Sequence, residues 1–211
     1  MSECEITQIK QHKHSRGLTL IELLISVSIF ALIFIGFSSI DTFSRYHVLS
    51  SDRRAKLQND ASYVLEHMAK QIGQSIGDVN QTAVNASGIA GDTAIRAWID
   101  YSQNGKRDTY PTDRQIAYRF RGATTGEIWY CPECTNNPCT QCNPGWGTSA
   151  DYILSRKIYS FNPIFSSGND YVEIQLTACW DPDGSPVACA NPDNLALGMQ
   201  NRIYMPSVST H

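Results

Sequence analysis

The sequence predicts an α+β protein: one long N-terminal α-helix, membrane-spanning in its first half and amphipathic in its second, packed on an antiparallel β-sheet head. Three observations predict it. Residues 18–40 form an apolar run with a single charged side chain, a stripe of period 3.6 follows over residues 57–76, and short runs rich in Ile, Tyr, Val and Trp begin after residue 90. The expected organisation is a basic leader over 1–17, a membrane helix over 18–40, an amphipathic continuation over 41–77 and a head over 78–211 with a cysteine-rich insert at 131–142. The 211 residues hold one ordinary domain plus this appendage. A formal net charge of -3, with no basic stripe beyond Arg53, Arg54 and Lys56, gives no footprint for nucleic acid as a main ligand.

The run over 18–40 is about long enough to cross a hydrocarbon core of ~30 Å at ~1.5 Å per residue. Lys10, Lys13 and Arg16 precede it, and basic flanks stay on the cytoplasmic side, so a single-pass, N-in/C-out topology in the cytoplasmic (inner) membrane is expected. No small-residue cleavage site follows the apolar core, which argues that the stretch is retained. A generic signal anchor explains all of this except Glu22. A carboxylate one turn into a membrane helix costs on the order of 2.5 to 3.5 kcal/mol, and such residues are kept for a partner or a function.

The run Arg16, Gly17, Leu18, Thr19, Leu20, Ile21, Glu22, Leu23, Leu24 resembles the N-terminal processing signal of type IV pilins and type II secretion pseudopilins. The resemblance implies that a prepilin peptidase cuts between Gly17 and Leu18 and methylates the new amino terminus. Glu22 then falls at the fifth mature position, where the family places its carboxylate. Leu18 departs from the usual Phe, which bears on methylation more than on cutting. The family role for Glu22 is axial register in the filament. The amino-terminal charge of a neighbouring subunit would compensate the carboxylate, an attraction that strengthens in a water-poor helix bundle. The alternative for Glu22 is plain solvation at headgroup level.

Beyond the membrane run, Leu57, Ala61, Leu65, Met68, Ile72 and Ile76 recur in steps of three and four, widened by Val64 and Ala69. A stripe of this kind packs against a sheet far more often than it holds a cofactor. Gly73, Gly77, Asp78, Asn80 and Asn85 place the end of the helix near residue 77. Strands are expected over 93–99, 114–120, 127–130, 152–161, 171–177 and 202–205, and a helix followed by consecutive strands gives an antiparallel sheet.

The turn after the first strand sets Asp100, Ser102, Asn104, Lys106 and Asp108 around Gly105, the front half of an EF-hand-like calcium loop. Position twelve is Pro111, although Asp113 lies close enough to supply the missing carboxylate. The competing account is a turn built on Asn104 and Gly105, with any calcium only stiffening the loop. Of the seven cysteines, Cys4 lies in the leader, which leaves Cys131, Cys134, Cys139, Cys142, Cys179 and Cys189 in the head. An even set in an exported head points to disulfides, and a bridge from Cys179 to Cys189 would close the turn-rich loop between them. The block Cys131, Cys134, Cys139, Cys142 also has the ligand count for tetrahedral zinc, so bridges and zinc both stay open there.

His12, His14, His47, His67 and His211 are scattered, and neither a phosphate loop nor a nucleophile elbow is present, so no enzymatic activity is expected. The resemblance implies a non-catalytic subunit of a pilus or periplasmic pseudopilus. The size of the head is similar to that of minor pilins of the W class and J-type pseudopilins. Expected partners are other pilin or pseudopilin subunits, prepilin peptidase and an inner-membrane assembly platform. The competing class is a membrane-anchored surface binding or adhesion module.

Overall fold

The computed structural model describes residues 19–77, 82–86, 92–108, 112–122, 125–135, 139–143, 145–146, 152–167, 170–181, 189 and 194–205. The chain divides into two units, Met1–Val48 and Leu49–His211. Helix α1 (Leu20–Ile72) runs through the boundary without a proline to interrupt it, with Glu22 in its first turn and Lys70 in its last. Those charges complement the helix dipole. In the first unit the large apolar side chains from Leu20 to Val48 are exposed, so this segment has no core of its own.

The helix stops at Ile72, five residues short of the expected end near residue 77. Gly73, Gln74 and Ser75 close the last turn with N–H bonds to Ala69, Gln71 and Ile72 carbonyls at 2.9, 3.2 and 3.0 Å. Ser75 then bridges to Ile99, and the Ile76 N–H donates to the Trp98 carbonyl at 2.8 Å. Ile76 therefore leaves the helical stripe and follows a strand. Pairing to the sheet satisfies the backbone that a longer helix would have used.

The expected single sheet is two antiparallel sheets. The first contains β1 (Val84–Ala86), β2 (Thr93–Ile99), β3 (Arg114–Phe120), β4 (Ile128–Cys131) and β5 (Ile153–Ser155) in that order; the second contains β6 (Ile158–Phe165), β7 (Tyr171–Cys179) and β8 (Ala196–Tyr204). The strand expected over 152–161 is broken between β5 and β6. Ser155 Oγ donates to Asp60 Oδ2 on the helix at 2.6 Å and accepts the Lys157 N–H at 3.0 Å. The Lys157 carbonyl then accepts the Cys179 N–H at 2.7 Å, while the Ile158 N–H goes to Gly126 at 2.9 Å. The chain changes sheets at this point, pinned to the helix by one hydroxyl.

Both sheets and the helix share one core. Leu57, Ala61, Val64, Leu65, Met68 and Ile72 are buried together with Ile95, Ile116, Tyr118 and Ile128 from the first sheet and Ile158, Val172, Ile174 and Leu176 from the second. Burying each large aliphatic side chain contributes roughly 1.5–3 kcal/mol. One polar cluster interrupts the stripe: the Tyr118 hydroxyl lies 3.0 Å from His67 Nδ1 and donates to the His67 carbonyl at 3.4 Å. The His67 ring also stands edge-on to Tyr118 and Tyr130. Burial, reinforced by Lys70, holds the imidazole below its ordinary pKa. Burial also pushes the Tyr118 phenol well above its usual value.

Candidate functional site

The apolar stretch of α1 carries Glu22, the residue expected to set assembly register. Gly17 and Leu18 lie outside the described residues. Thr19 is the N-cap: its N–H and its Oγ1 both donate to Glu22 Oε2, at 3.0 and 2.8 Å, and the Glu22 N–H returns a longer bond of 3.4 Å to Thr19 Oγ1. This is a capping box, in which a Thr and a Glu three residues later satisfy each other's backbone donors. Its sequence signature, Thr-x-x-Glu ahead of an apolar run, is present at Thr19 and Glu22, so the cap was legible in the sequence. The cap does not involve the bond between residues 17 and 18.

Hydroxyls along the apolar run are closed onto the helix itself. Ser26, Ser28, Ser38, Ser39 and Thr42 each donate to the carbonyl four residues earlier, at 2.7 to 3.0 Å. Bonds of this type remove the cost of a hydroxyl in hydrocarbon. By length and composition the helix is able to cross a membrane.

In the head the six cysteines form three disulfides: Cys131–Cys142, Cys134–Cys139 and Cys179–Cys189, with Cα separations of 5.8, 5.0 and 5.8 Å. The Cys179–Cys189 pairing is the one expected. The zinc alternative at the four-cysteine block falls, because the sulfurs of Cys131, Cys134 and Cys139, though within 4.8 Å of one another, are consumed in bonds and leave no thiolate to coordinate metal. The two nested bridges are buried with Ala94 and Ala117. Those alanines alternate with Ile95, Ile116 and Tyr118 on the core side, so they face the opposite side of the first sheet. Ala117 stands directly across from Cys131. Two small side chains there make the space that the bridges fill.

In the oxygen-rich loop, Asp113 holds Ser102 and Asp108, while Asp100 holds Ser102, Asn104 and Gly105. Asp113 is fully buried; its Oδ1 accepts the Ser102 N–H and Oγ at 3.4 and 3.3 Å, and its Oδ2 accepts the Asp108 N–H at 2.6 Å. Asp100 accepts the Ser102 hydroxyl at 3.1 Å and the Asn104 and Gly105 N–H groups at 3.2 and 2.8 Å. Burial raises its pKa, but the bonds from Gly105, Ser102 and Asn104 outweigh it and the net direction is down. Asn104 Oδ1 takes the Lys106 N–H at 2.8 Å, and its Nδ2 donates to Asp108 Oδ2. Gln103 and Gly105 both adopt positive φ, 56° and 71°. The loop thus closes on its own carboxylates, as a turn does. Pro111 lies outside the described residues.

Of the histidines, His67 is held in the aromatic cluster and His47 packs edge-on to Phe43 at 4.3 Å; His12, His14 and His211 lie outside the described residues.

Residues 12–38 match the family described as the prokaryotic N-terminal methylation motif. No curated protein and no solved structure matches the chain. The matched segment holds Gly17, Leu18, Thr19 and Glu22, and a motif of this kind is consistent with a type IV pilin-like protein. With it, the long apolar helix packed on antiparallel sheets has the layout of a type IV pilin-like fold.

Proposed function

We propose that the chain is a minor pilin or pseudopilin, cut between Gly17 and Leu18 by prepilin peptidase, methylated there, and inserted through α1 into a type IV pilus or type II secretion pseudopilus to prime or tip it. The observation that carries this reading is the methylation motif over 12–38, joined to an exposed apolar stretch of α1, residues 20–40, whose one carboxylate, Glu22, is the fifth residue after the cut. Before assembly the chain is a single-pass membrane protein with its head outside the cytoplasm, delivered to an inner-membrane assembly platform. Thr19 satisfies Glu22 Oε2 within the chain, so the carboxylate enters the bilayer partnered. Its Oε1 is then directed at the amino terminus of the next subunit, which fixes axial register.

The test is processing and incorporation of the full chain co-expressed with a prepilin peptidase and a filament system. Intact mass should report a mature amino terminus at Leu18, and Gly17→Val should retain the leader. Glu22→Ala should be processed and held in the membrane yet recovered in filaments at a tenth or less of the wild-type level. A surface binding or adhesion module would tolerate both changes, and wild-type behaviour of both variants overturns the assembly reading.

A further inference from the structure

Four strands lie at sheet edges among the described residues, and three of them are blunted. β1 and β5 are three residues long, and β5 carries a register irregularity against β4. β6 contains Pro163, which has no N–H to offer, and its pairing with β7 shifts between Ile158 and Ser160. Shortness, bulges and proline are the devices by which natural sheets prevent further pairing. β8 has none of them. It is nine residues long, without proline, and pairs with β7 in unbroken register from Tyr171 opposite Tyr204 to Cys179 opposite Ala196.

The direction of the β8 backbone follows from its two ends. The Trp180 N–H donates to the Leu195 carbonyl at 3.0 Å, and the Met205 N–H donates to the Asp170 carbonyl at 2.9 Å. Antiparallel strands alternate, so odd-numbered residues of β8 turn their N–H and C=O toward β7. Ala196, Gly198, Gln200, Arg202 and Tyr204 turn theirs away from the sheet. A row of donors and acceptors at two-residue intervals is complementary to one kind of partner, another extended backbone. Side chains specify it further. Leu197 and Met199 pack on the core yet are only partly buried, so an added strand with apolar residues on that side would finish covering them. Arg202 does not repel a newcomer, because Glu173 holds its guanidinium at 2.9 Å within the sheet. A depression of about 320 Å³, lined by Glu173 of β7 and by Gln200, Asn201, Arg202 and Tyr204 of β8, lies beside this edge.

We infer that the β8 edge docks an extended segment of a neighbouring filament subunit, apolar and polar by turns, as a fourth strand of the β6, β7, β8 sheet. The inference rests on the assembly reading above and adds a head-to-head contact to the one made by the helix. Residue-resolved hydrogen exchange tests it, comparing the full mature chain in a nanodisc with the same chain in isolated filaments. In the nanodisc, the amides of Gly198, Gln200, Arg202 and Tyr204 should exchange fast and those of Leu197, Met199, Asn201 and Ile203 slowly. In filaments the first set should slow by about tenfold or more. Gln200→Pro removes an outward N–H only, so it should melt as the wild type does, enter the membrane, and lose the filament protection of Gly198 and Arg202. If filaments contain the chain and the first set stays fast, the edge pairing is wrong while the assembly reading stands. If the chain never enters filaments, both are wrong.

Discussion

Asp113 shows how much one buried side chain organises. Its two oxygens close the loop from Ser102 to Asp108, and truncating it removes all three of these bonds from a part-buried site. Asp113→Ala should cost about 1–3 kcal/mol, read as a thermal midpoint several degrees lower. Melts in chelator and in millimolar calcium separate the two accounts of the loop. Self-closure expects the same loss in both, and a loss confined to calcium would assign the loop to a cation. His67 makes a prediction about pH. Its pKa is lowered in the folded head, first by burial and then by Lys70, so the unfolded chain binds its proton first as pH falls. The contribution to stability is therefore intact above the unfolded value of about 6.5 and declines as pH drops from there through the folded value. Urea midpoints between pH 5 and 8 should fall on the acid side. His67→Gln should flatten that slope, and an unchanged slope would place its origin elsewhere.

At the scale of elements, β2 and β3 run over the residues expected of them, 93–99 and 114–120, because β-branched and aromatic residues are concentrated there between clear turns. β1 was missed because it is three residues long and only Val84 of Val84, Asn85 and Ala86 favours a strand; β2 supplies the ladder that makes them one. β8 was found only at its C-terminal end. Gly198, Gln200 and Asn201 dilute the alternation, since the outer face of that strand is polar and one side has no partner strand among the described residues. The even cysteine count and the Cys179–Cys189 loop were legible. The nesting of Cys134–Cys139 inside Cys131–Cys142 was not, because it depends on Ala94 and Ala117 clearing a surface that only the folded sheet creates. Closing a loop of the outer bridge's size is worth about 3 kcal/mol in the chain-entropy account. The inner bridge adds less, since it shortens a loop already closed. Glu22 was legible as an anomaly from its cost alone, whereas its cap needed Thr19 to be read as a helix start and not as one more residue of a processing signal.

The unit Leu49–His211 has two sheets but a single core, and the stripe from Leu57 to Ile72 is what joins them. Neither sheet could bury its apolar face without the helix, so the two sheets should unfold together. Met68 is the place to test this, being fully buried in the middle of the stripe. Met68→Ala should cost about 2–5 kcal/mol by losing contacts and leaving a cavity that rigid strands on either side do not fill. Hydrogen exchange at Ile116 and Tyr118 in the first sheet and at Ile174 and Leu176 in the second should then accelerate by a common factor. A variant that released one sheet and left the other protected would show that the helix packs on two separate cores.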